Sequence, residues 1–337
     1  MREPTDTEPA ALCLTAPAKV NLSLRIRGRR RDGYHEIESC MQTLELADEL
    51  CCERRPAPGF ALELTHEVEV GLPVLPDADN LVLRAAAAFA LAAGDDKCGA
   101  QFRLTKRIPA GGGLGGGSSD AAAALLLLNA LFGTPLSAHQ LHELAACLGA
   151  DVPFFLSGGT QVARGIGDLL EPVPDAATPR FHFVLIAPPF GTSTAAIYKN
   201  CKAPLTEPAG TSTIPGGNVL SDKGLPVPDR PDAFINELEA SAMRAHPELE
   251  KLAADIALRG FRDVRMSGSG STLFLAFEER AAATAAMQRL ASLREAGVHL
   301  EQTETERDPR RSRRPAAPAD DRPGLHPHMG DNRGGAR

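Results

Sequence analysis

The chain has 337 residues, enough for two domains, and its 43% hydrophobic and 23% charged residues are typical of a globular protein in water. A net charge of −7 argues against a nucleic-acid binder held by phosphate contacts, and the longest apolar run, 121–128, is too short to cross a membrane. Seven scattered cysteines without CxxC or metal-ligand spacing predict reduced thiols. We therefore expect a cytoplasmic protein that binds neither nucleic acid nor membrane, as a monomer or weak homodimer.

The first half of the chain carries strand and helix patterns in turn. Apolar residues at alternating positions predict strands over 11–28 (one or two, interrupted at Pro17), 40–54, 60–70 and 101–108. Alanine- and leucine-rich segments that stop at a glycine predict helices over 80–93, 119–132 and 138–148.

The second half has shorter elements and two segments of biased composition. Strands are predicted over 160–162, 181–186, 264–266 and 272–277, and helices over 233–244, 248–259 and 281–296. Residues 200–230 are rich in Pro, Gly, Ser and Thr, which predicts a long loop. Residues 306–337 carry eight arginines and five acidic residues and predict a disordered tail, or an arm for an anionic partner. Because the elements do not alternate as βαβ units, the pattern favours an α+β fold.

The most informative segment is glycine-rich and joins the predicted strand 101–108 to a helix. Glycine allows positive φ and lets backbone N–H groups approach a ligand, so the segment predicts a phosphate cradle at a helix N-terminus, although a flexible linker is the alternative. Ser118, Ser119 and Asp120 can cap that helix. The cradle consists of Pro109, Ala110, Gly111, Gly112, Gly113, Leu114, Gly115, Gly116, Gly117, Ser118 and Ser119.

Three well-known motifs do not fit this segment. The spacing Gly111-x-Gly113-x-x-Gly116 matches a dinucleotide fingerprint, but no acidic residue follows about 20 positions later. No Gly-Lys-Ser/Thr follows the glycines, which excludes a Walker A loop, and no Gly-x-Ser-x-Gly elbow is present. A cradle without its own lysine needs positive charge from Mg²⁺ or from distant side chains.

Four further segments have ordinary structural interpretations when each is considered alone. Lys19, within the apolar run 16–22, is compatible with a lysine that extends its ammonium to the surface. Residues 31–36 suggest a polar hairpin loop, Asp151 a helix N-cap, and residues 266–272 a tight glycine turn.

Taken together, the segments resemble one enzyme family. Pro109–Ser119 resembles the phosphate loop of the galactokinase, homoserine kinase, mevalonate kinase and phosphomevalonate kinase (GHMP kinase) superfamily, and 266–272 resembles its third motif. Pro17-Ala-Lys-Val-Asn-Leu22 and Asp32-Gly-Tyr-His35 resemble motifs of its 4-diphosphocytidyl-2-C-methyl-D-erythritol kinase family. The resemblance implies a two-domain GHMP kinase fold, with a ribosomal protein S5 domain 2-like N-terminal domain over 11–170 and a ferredoxin-like C-terminal domain over 178–303.

The resemblance also implies an activity and its catalytic residues. The expected reaction is ATP-dependent phosphorylation of the 2-hydroxyl of a cytidine-diphosphate-linked erythritol, a step of non-mevalonate isoprenoid biosynthesis, with ATP and Mg²⁺. Asp151 would accept the hydroxyl proton, and Lys19 would hold that carboxylate ionised and offset the charge of the phosphoryl group. Ser118 or Ser119 would reach the metal ion, with no separate protein metal site.

The implied substrate pocket uses Asn21, Tyr34, His35 and Tyr198. Tyr34 would stack on cytosine, and His35 would bond its polar edge. Tyr198 stands where the family often has Phe, and a role in the hydrophobic core remains the alternative. The other functions that fit the sequence are a different GHMP-type kinase, acting on mevalonate or homoserine, and a non-catalytic nucleotide-binding relative.

Overall fold

A computed structural model describes most of the chain between residues 11 and 306. The described ranges are 11–68, 73–75, 77–95, 97–174, 178–201 and 227–306. Almost all of the predicted tail, 307–337, and most of the predicted loop, 202–226, lie outside the described residues.

A seven-stranded sheet forms the framework of the first half. Its main path runs β3-β4-β2-β1-β8, and β5 pairs with β2 and β6 beside it. The strands are β1 (Leu12–Arg29), β2 (His35–Arg54), β3 (Gly59–His66), β4 (Gly99–Lys106), β5 (Thr160–Arg164), β6 (Leu169–Pro172) and β8 (Ile235–Asn236). The antiparallel pair of β1 and β2 is the longest in the sheet, and it brings the two ends of the predicted 31–36 loop together.

Strand β1 continues through Pro17, where the sequence allowed an interruption. The register to β2 shifts between Pro17 and Lys19. Proline lacks the N–H that a ladder needs, and an irregularity of one residue accommodates it without ending the strand.

Four helices cover one face of this sheet: α1 (Leu81–Ala93), α2 (Gly116–Leu131), α3 (Ala138–Leu148) and α4 (Val152–Ser157). Helix α2 is buried along most of its length, because alanine and leucine occupy nearly all of its surface. Asn80 caps α1 by accepting a hydrogen bond from the Val82 N–H, and Gly94 ends that helix in the left-handed region. The predicted helices 80–93, 119–132 and 138–148 are confirmed.

A four-stranded sheet with order β11-β7-β10-β9 organises the second half. Its strands are β7 (His182–Ala187), β9 (Arg265–Met266), β10 (Leu273–Phe277) and β11 (His299–Glu304). The accompanying helices are α5 (Thr194–Lys199), α6 (Glu239–Ala245), α7 (Pro247–Leu258) and α8 (Arg280–Leu290). The sequence analysis did not predict β6, β11, α4 or α5, all of which are six residues or shorter.

The predicted helix 233–244 is wrong in its first turn. Residues 231–233 form a 3₁₀ turn, Ile235 and Asn236 form β8 beside β1, and the α-helix begins only at Glu239. Pairing with Ser23 and Leu24 decides the conformation here, because a tertiary contact overrides local helix preference. The predicted helix 281–296 likewise changes to a 3₁₀ turn over 291–296.

The two sheets share a hydrophobic core. One cluster lies under α1 and α2, a second lies inside the four-stranded sheet, and a third contains side chains from both sheets, among them Leu22, Ile108, Leu114, Phe183 and Phe274. Strand β8 also joins the first sheet from within the second half of the sequence. The mixed α and β architecture agrees with the predicted fold class, and the domain boundaries near 170 and 178 stay a prediction.

The cysteines differ from the prediction of fully reduced thiols. Cys13 and Cys51 face each other across β1 and β2 and form a disulfide bond. Composition alone could not reveal this, because the two residues are 38 positions apart and meet only through strand register.

Within the described ranges, no helix has the length and apolar character needed to span a bilayer.

Candidate active site

A cavity of about 1140 Å³ lies where the glycine-rich loop meets β1, the 30–35 hairpin and α5. This volume exceeds that of a typical site for one small molecule, so the cavity has room for more than one ligand. Its lining includes ten of the eleven predicted cradle residues, and also Lys19, Asn21, Tyr34, His35, Asp151 and Tyr198. The fold therefore brings nearly all predicted site residues to one cavity.

Ser119 is the exception among the predicted cradle residues. It is buried and does not line the cavity, whereas Ser118 does. The predicted capping by Ser118, Ser119 and Asp120 is also wrong: α2 starts at Gly116, its N-cap is Gly115, and no side chain caps it. The helix starts earlier than predicted because the loop turns at Gly115, whose φ is +74°.

Glycine is required at Gly113 and Gly115 for reasons of space as well as conformation. Gly113 has a φ of +78°, and a Cβ there would collide with the carbonyl oxygen of Ser267. A Cβ on Gly115 would lie 2.6 Å from the Phe155 ring and 3.1 Å from Cγ of Lys19. The loop is thus held close to its neighbours, and its backbone N–H groups lie at the N-terminus of a 16-residue helix, where anions are favoured.

The second glycine-rich turn, 267–271, packs directly against this loop. Ser267 Oγ donates a hydrogen bond to the Gly113 carbonyl at 2.9 Å, and the Thr272 N–H donates to the Gly112 carbonyl at 3.0 Å. Asn236 holds the turn from behind, since its Nδ2 donates to the carbonyls of Met266 and Gly268 at 2.7 Å each. The two glycine-rich segments, far apart in the sequence, therefore support each other.

Lys19 and Asp151 form the centre of the cavity. The Lys19 ammonium is buried, donates to Asn21 Oδ1 at 2.7 Å and lies 3.7 Å from Asp151 Oδ2, so it does not extend to the surface. The Lys19 N–H also donates to the Leu114 carbonyl, which ties the strand to the glycine loop. Asp151 occupies the N-cap position of α4, but its side chain makes no capping bond and is 40% exposed. The carboxylate is therefore available to a ligand.

Three rings lie at the other end of the cavity. Tyr34 is 61% exposed in the hairpin turn, where its N–H donates to Asp32 Oδ1. The rings of His35 and Tyr198 are 5.4 Å apart. Burial, and then the positive charge of Arg29, lowers the pKa of His35, so its imidazole is neutral near pH 7. Its buried Nε2 has no hydrogen-bond partner among the described residues, and it can bond to a polar ligand edge.

Tyr198 connects these rings to the central pair. Burial, and next the negative charge of Asp151, raises the pKa of the Tyr198 phenol. Tyr198 both packs against the core of the second sheet and lines the cavity, and its role in binding a base stays a prediction.

The sequence analysis missed a buried charge cluster beneath the loop. The Lys106 ammonium contacts carboxylate oxygens of Asp48 and, at 2.7 Å, Asp120, and all three side chains are buried. Asp48 Oδ1 also accepts hydrogen bonds from the N–H groups of Arg107 and Ile108. The signal in the sequence that could have indicated this cluster was a lysine at the end of β4, shortly before the glycine-rich loop. The two carboxylates outweigh the single ammonium, so the cluster shapes the cradle and adds no net positive charge.

Two models of one kinase superfamily match this chain. The model for the N-terminal domain of GHMP kinases matches residues 80–159, and the model for their C-terminal region matches 230–295. The 4-diphosphocytidyl-2-C-methyl-D-erythritol kinase of Pelotomaculum thermopropionicum is 41% identical over 259 residues, which are 77% of this chain and 86% of that protein. The kinase of the same name from Bordetella parapertussis is 41% identical over 285 residues, covering 84% of this chain and 88% of the relative. The chain belongs to the 4-diphosphocytidyl-2-C-methyl-D-erythritol kinase family.

Solved structures agree with this family. A crystal structure of 4-(cytidine 5'-diphospho)-2C-methyl-D-erythritol kinase matches with a TM-score of 0.65 and 34% identity, covering 88% of this chain and all of the other. A homoserine kinase from Cytophaga hutchinsonii matches with a TM-score of 0.60 at 18% identity, covering 91% of this chain and 97% of the other, which shows a shared fold alone. As a family member with both GHMP domains, the chain is an ATP-dependent small-molecule kinase, and its predicted fold class is confirmed.

Proposed function

We propose that this protein transfers the terminal phosphoryl group of ATP to the 2-hydroxyl of 4-diphosphocytidyl-2-C-methyl-D-erythritol, giving the 2-phosphate and ADP in non-mevalonate isoprenoid precursor biosynthesis. The observation that carries this proposal is the continuous arrangement of the cavity. The glycine loop contacts Lys19, and Lys19 lies 3.7 Å from Asp151. The negative charge of Asp151 raises the pKa of Tyr198, and the Tyr198 ring lies beside that of His35. A phosphate cradle, a charged pair and an aromatic pocket follow one another in the order that the two substrates need.

In this proposal the loop 109–118 binds the phosphates of ATP. The glycine N–H groups of the loop and the N-terminus of α2 stabilise the negative charge of the phosphates. No lysine within the loop has to lose its hydration for this purpose. Asp151 accepts the proton of the attacking hydroxyl and orients its oxygen. Lys19, held by Asn21, lies beside that carboxylate and offsets the charge of the transferring group.

The aromatic end of the cavity binds the cytidine. Tyr34 and Tyr198 present rings for stacking, and the neutral imidazole of His35 has a free Nε2 for the polar edge of the base. Asn21 lines the wall beside Lys19, where the erythritol part would lie.

A magnesium ion fits this site only as a partner of the nucleotide. No group of three or more His, Cys, Asp or Glu in the described ranges lies close enough to hold a metal. Mg²⁺ often binds through one or two protein oxygens together with phosphates and waters. Ser118 lines the cavity, and its hydroxyl would supply a protein oxygen. When bound, Mg²⁺ would neutralise charge on the phosphate oxygens.

The proposal is tested by a coupled ADP-release assay with Mg·ATP and three separate acceptors: diphosphocytidyl-methylerythritol, mevalonate and homoserine. We expect turnover with the first acceptor only. Turnover with another acceptor would keep the kinase assignment and reject the cytidine pocket.

A cytoplasmic location remains a prediction, and the Cys13–Cys51 disulfide does not favour it, since disulfides persist mainly in oxidising compartments.

A further inference from the structure

The proposed substrate carries a diphosphate between its cytidine and its erythritol, and the glycine loop is already assigned to ATP. Of the described residues that line the cavity, the cationic ones are Lys19, Arg29, Lys106 and Lys199. Lys106 is buried and contacts both Asp48 and Asp120. Lys19 is buried and contacts Asn21 and Asp151. Neither of these two ammonium groups is free for a second polyphosphate.

Arg29 and Lys199 are different from the two buried lysines. Both are exposed, and neither forms an ion pair with another residue in the described part of the chain. The chain as a whole is acidic, with a net charge of −7, so an exposed cation without an ion pair among the described residues is a local exception at a cavity wall. An unpaired, solvated cation can bind an anion without first breaking an internal salt bridge.

Both cations lie beside residues of the aromatic pocket. Arg29 is the register partner of His35 across β1 and β2. Lys199 directly follows Tyr198 at the end of α5, and the His35 and Tyr198 rings lie 5.4 Å apart. The charge of Asp151 also acts on Tyr198. A group that links a base at these rings to a hydroxyl at Asp151 therefore passes within reach of long cationic side chains.

We infer that Arg29 and Lys199 bind the diphosphate of the substrate and thereby determine specificity for a nucleoside-diphosphate-linked acceptor. This inference rests on the proposed function. The planar guanidinium of Arg29 suits two oxygens of one phosphate, and the Lys199 ammonium acts as a point charge on the other. Acceptors without a diphosphate, such as mevalonate or homoserine, gain nothing from either residue.

Steady-state kinetics on the full chain test the inference, with the variants Arg29→Gln, Lys199→Gln and the double variant. The KM for diphosphocytidyl-methylerythritol should rise about tenfold for each substitution, which corresponds to one charge-assisted hydrogen bond. The KM for ATP and kcat should stay unchanged. Arg25→Gln on β1 and Lys251→Gln on α7 are matched controls, because both residues are exposed and neither lines the cavity.

Calorimetry with CDP and with cytidine separates this inference from the proposed function. The unmodified protein should bind CDP more tightly than cytidine, and the double variant should lose that difference while it still binds cytidine. Turnover by the unmodified protein with an unchanged KM in the variants would overturn the inference alone. If the unmodified protein neither turns over the substrate nor binds CDP, the proposed function and the inference both fail.

Discussion

At the scale of single residues, the cavity depends on a few side chains that are in unusual environments. Lys19 is buried in the middle of a strand, which is rare for lysine unless a partner compensates its charge. Asn21 and Asp151 are those partners. Asp151 by contrast remains 40% exposed. One member of the pair is thus fixed by packing, and the other is open to substrate.

Replacing Asp151 by Asn tests the proposed base. An amide of the same shape cannot accept the proton, so kcat should fall by about 100-fold or more, in the range of general-base catalysis. ATP binding, measured by calorimetry, should stay within twofold, because the phosphates bind elsewhere. Asp263→Asn is the control, an exposed carboxylate that does not line the cavity. Near-normal turnover by Asp151→Asn would contradict the assignment.

Tyr34→Ala tests the stacking role of the most exposed aromatic ring in the cavity. Stacking of one base on one ring contributes about 1–3 kcal/mol, so the KM for the cytidine substrate should rise by roughly 5- to 150-fold. Stability should not change, since the side chain is 61% exposed. Tyr34→Phe keeps the ring and should keep the KM. An unaltered KM in Tyr34→Ala would remove this residue from the pocket.

At the scale of elements, the β1–β2 pair supplies most of the substrate side of the site. Lys19 and Asn21 lie on β1, His35 begins β2, and the turn between them carries Tyr34. The same pair contains the disulfide between Cys13 and Cys51. Near the disulfide, burial raises the pKa of the Cys52 thiol to about 12, and it raises that of Cys40 to the same value, so these two thiols stay protonated and unreactive.

Counting thiols tests the disulfide. Protein denatured without reductant should show five thiols, and seven after reduction, with a thiol-reactive dye. The variant Cys13→Ser/Cys51→Ser should show five in both conditions. It should also lose about 2–4 kcal/mol of stability in a urea titration, since the crosslink restricts the unfolded chain. Seven thiols before reduction would show that the bond does not form.

The junction of β4 and α2 contains the other energetically demanding feature, the cluster of Asp48, Lys106 and Asp120. Burial raises the pKa of Asp120 to about 7, although the Lys106 charge opposes this shift. The cluster lies directly below the first turn of α2, because Lys106 Nζ is 3.2 Å from the position that a Cβ on Gly116 would take. A change in this cluster therefore changes the cradle.

Lys106→Met should destabilise the protein by about 3–5 kcal/mol, because two carboxylates remain buried without a cation. The loss should be larger at pH 8 than at pH 5. The raised pKa of Asp120 means that the folded state binds the proton of this carboxyl more tightly than the unfolded state does. The stability that the protonated carboxyl contributes is therefore present at low pH and is lost as pH rises through the folded pKa. Urea titrations at both values measure it, with the exposed Lys97→Met as control. Equal losses at the two pH values would contradict this account.

At the scale of the whole molecule, the site exists because two sheets meet. The glycine loop comes from the first half, and the turn 267–271 that packs against it comes from the second. Strand β8 leaves the second half to pair with β1, and its Asn236 bonds the carbonyls of Met266 and Gly268. This one amide joins the framework of the first sheet to the second glycine turn.

Asn236→Ala should lower both stability and kcat. Two buried carbonyls lose their donor, which costs about 1–3 kcal/mol, and the glycine loop loses part of its support. Asn236→Asp keeps the acceptor that the Leu238 N–H uses but removes both donors, so it should be at least as harmful. Chemical denaturation and the ADP-release assay measure the two effects. Normal stability and kcat in Asn236→Ala would show that the turn is held by other contacts.

The sequence by itself determined the glycine-rich loop before a helix, the main helices and the α+β class. These follow from local chemistry: glycine spacing, apolar periodicity, helix ends and short motifs that need no knowledge of distant contacts. It identified Lys19 and Asp151 as partners only through a resemblance, because 132 positions separate them, and the fold alone places them 3.7 Å apart.

Only the tertiary structure decided the features that depend on contacts between distant segments. Strand register brought Cys13 to Cys51, and β1 turned residues 235–236 from a predicted helix into a strand. Burial turned Lys106, Asp48 and Asp120 into a charge cluster beneath the loop. The same folding buried Ser119 and left Arg29 and Lys199 exposed at the cavity wall, without an ion pair to any residue that the structure describes. Each of these outcomes depends on which surfaces pack together, and that choice is made by the whole chain.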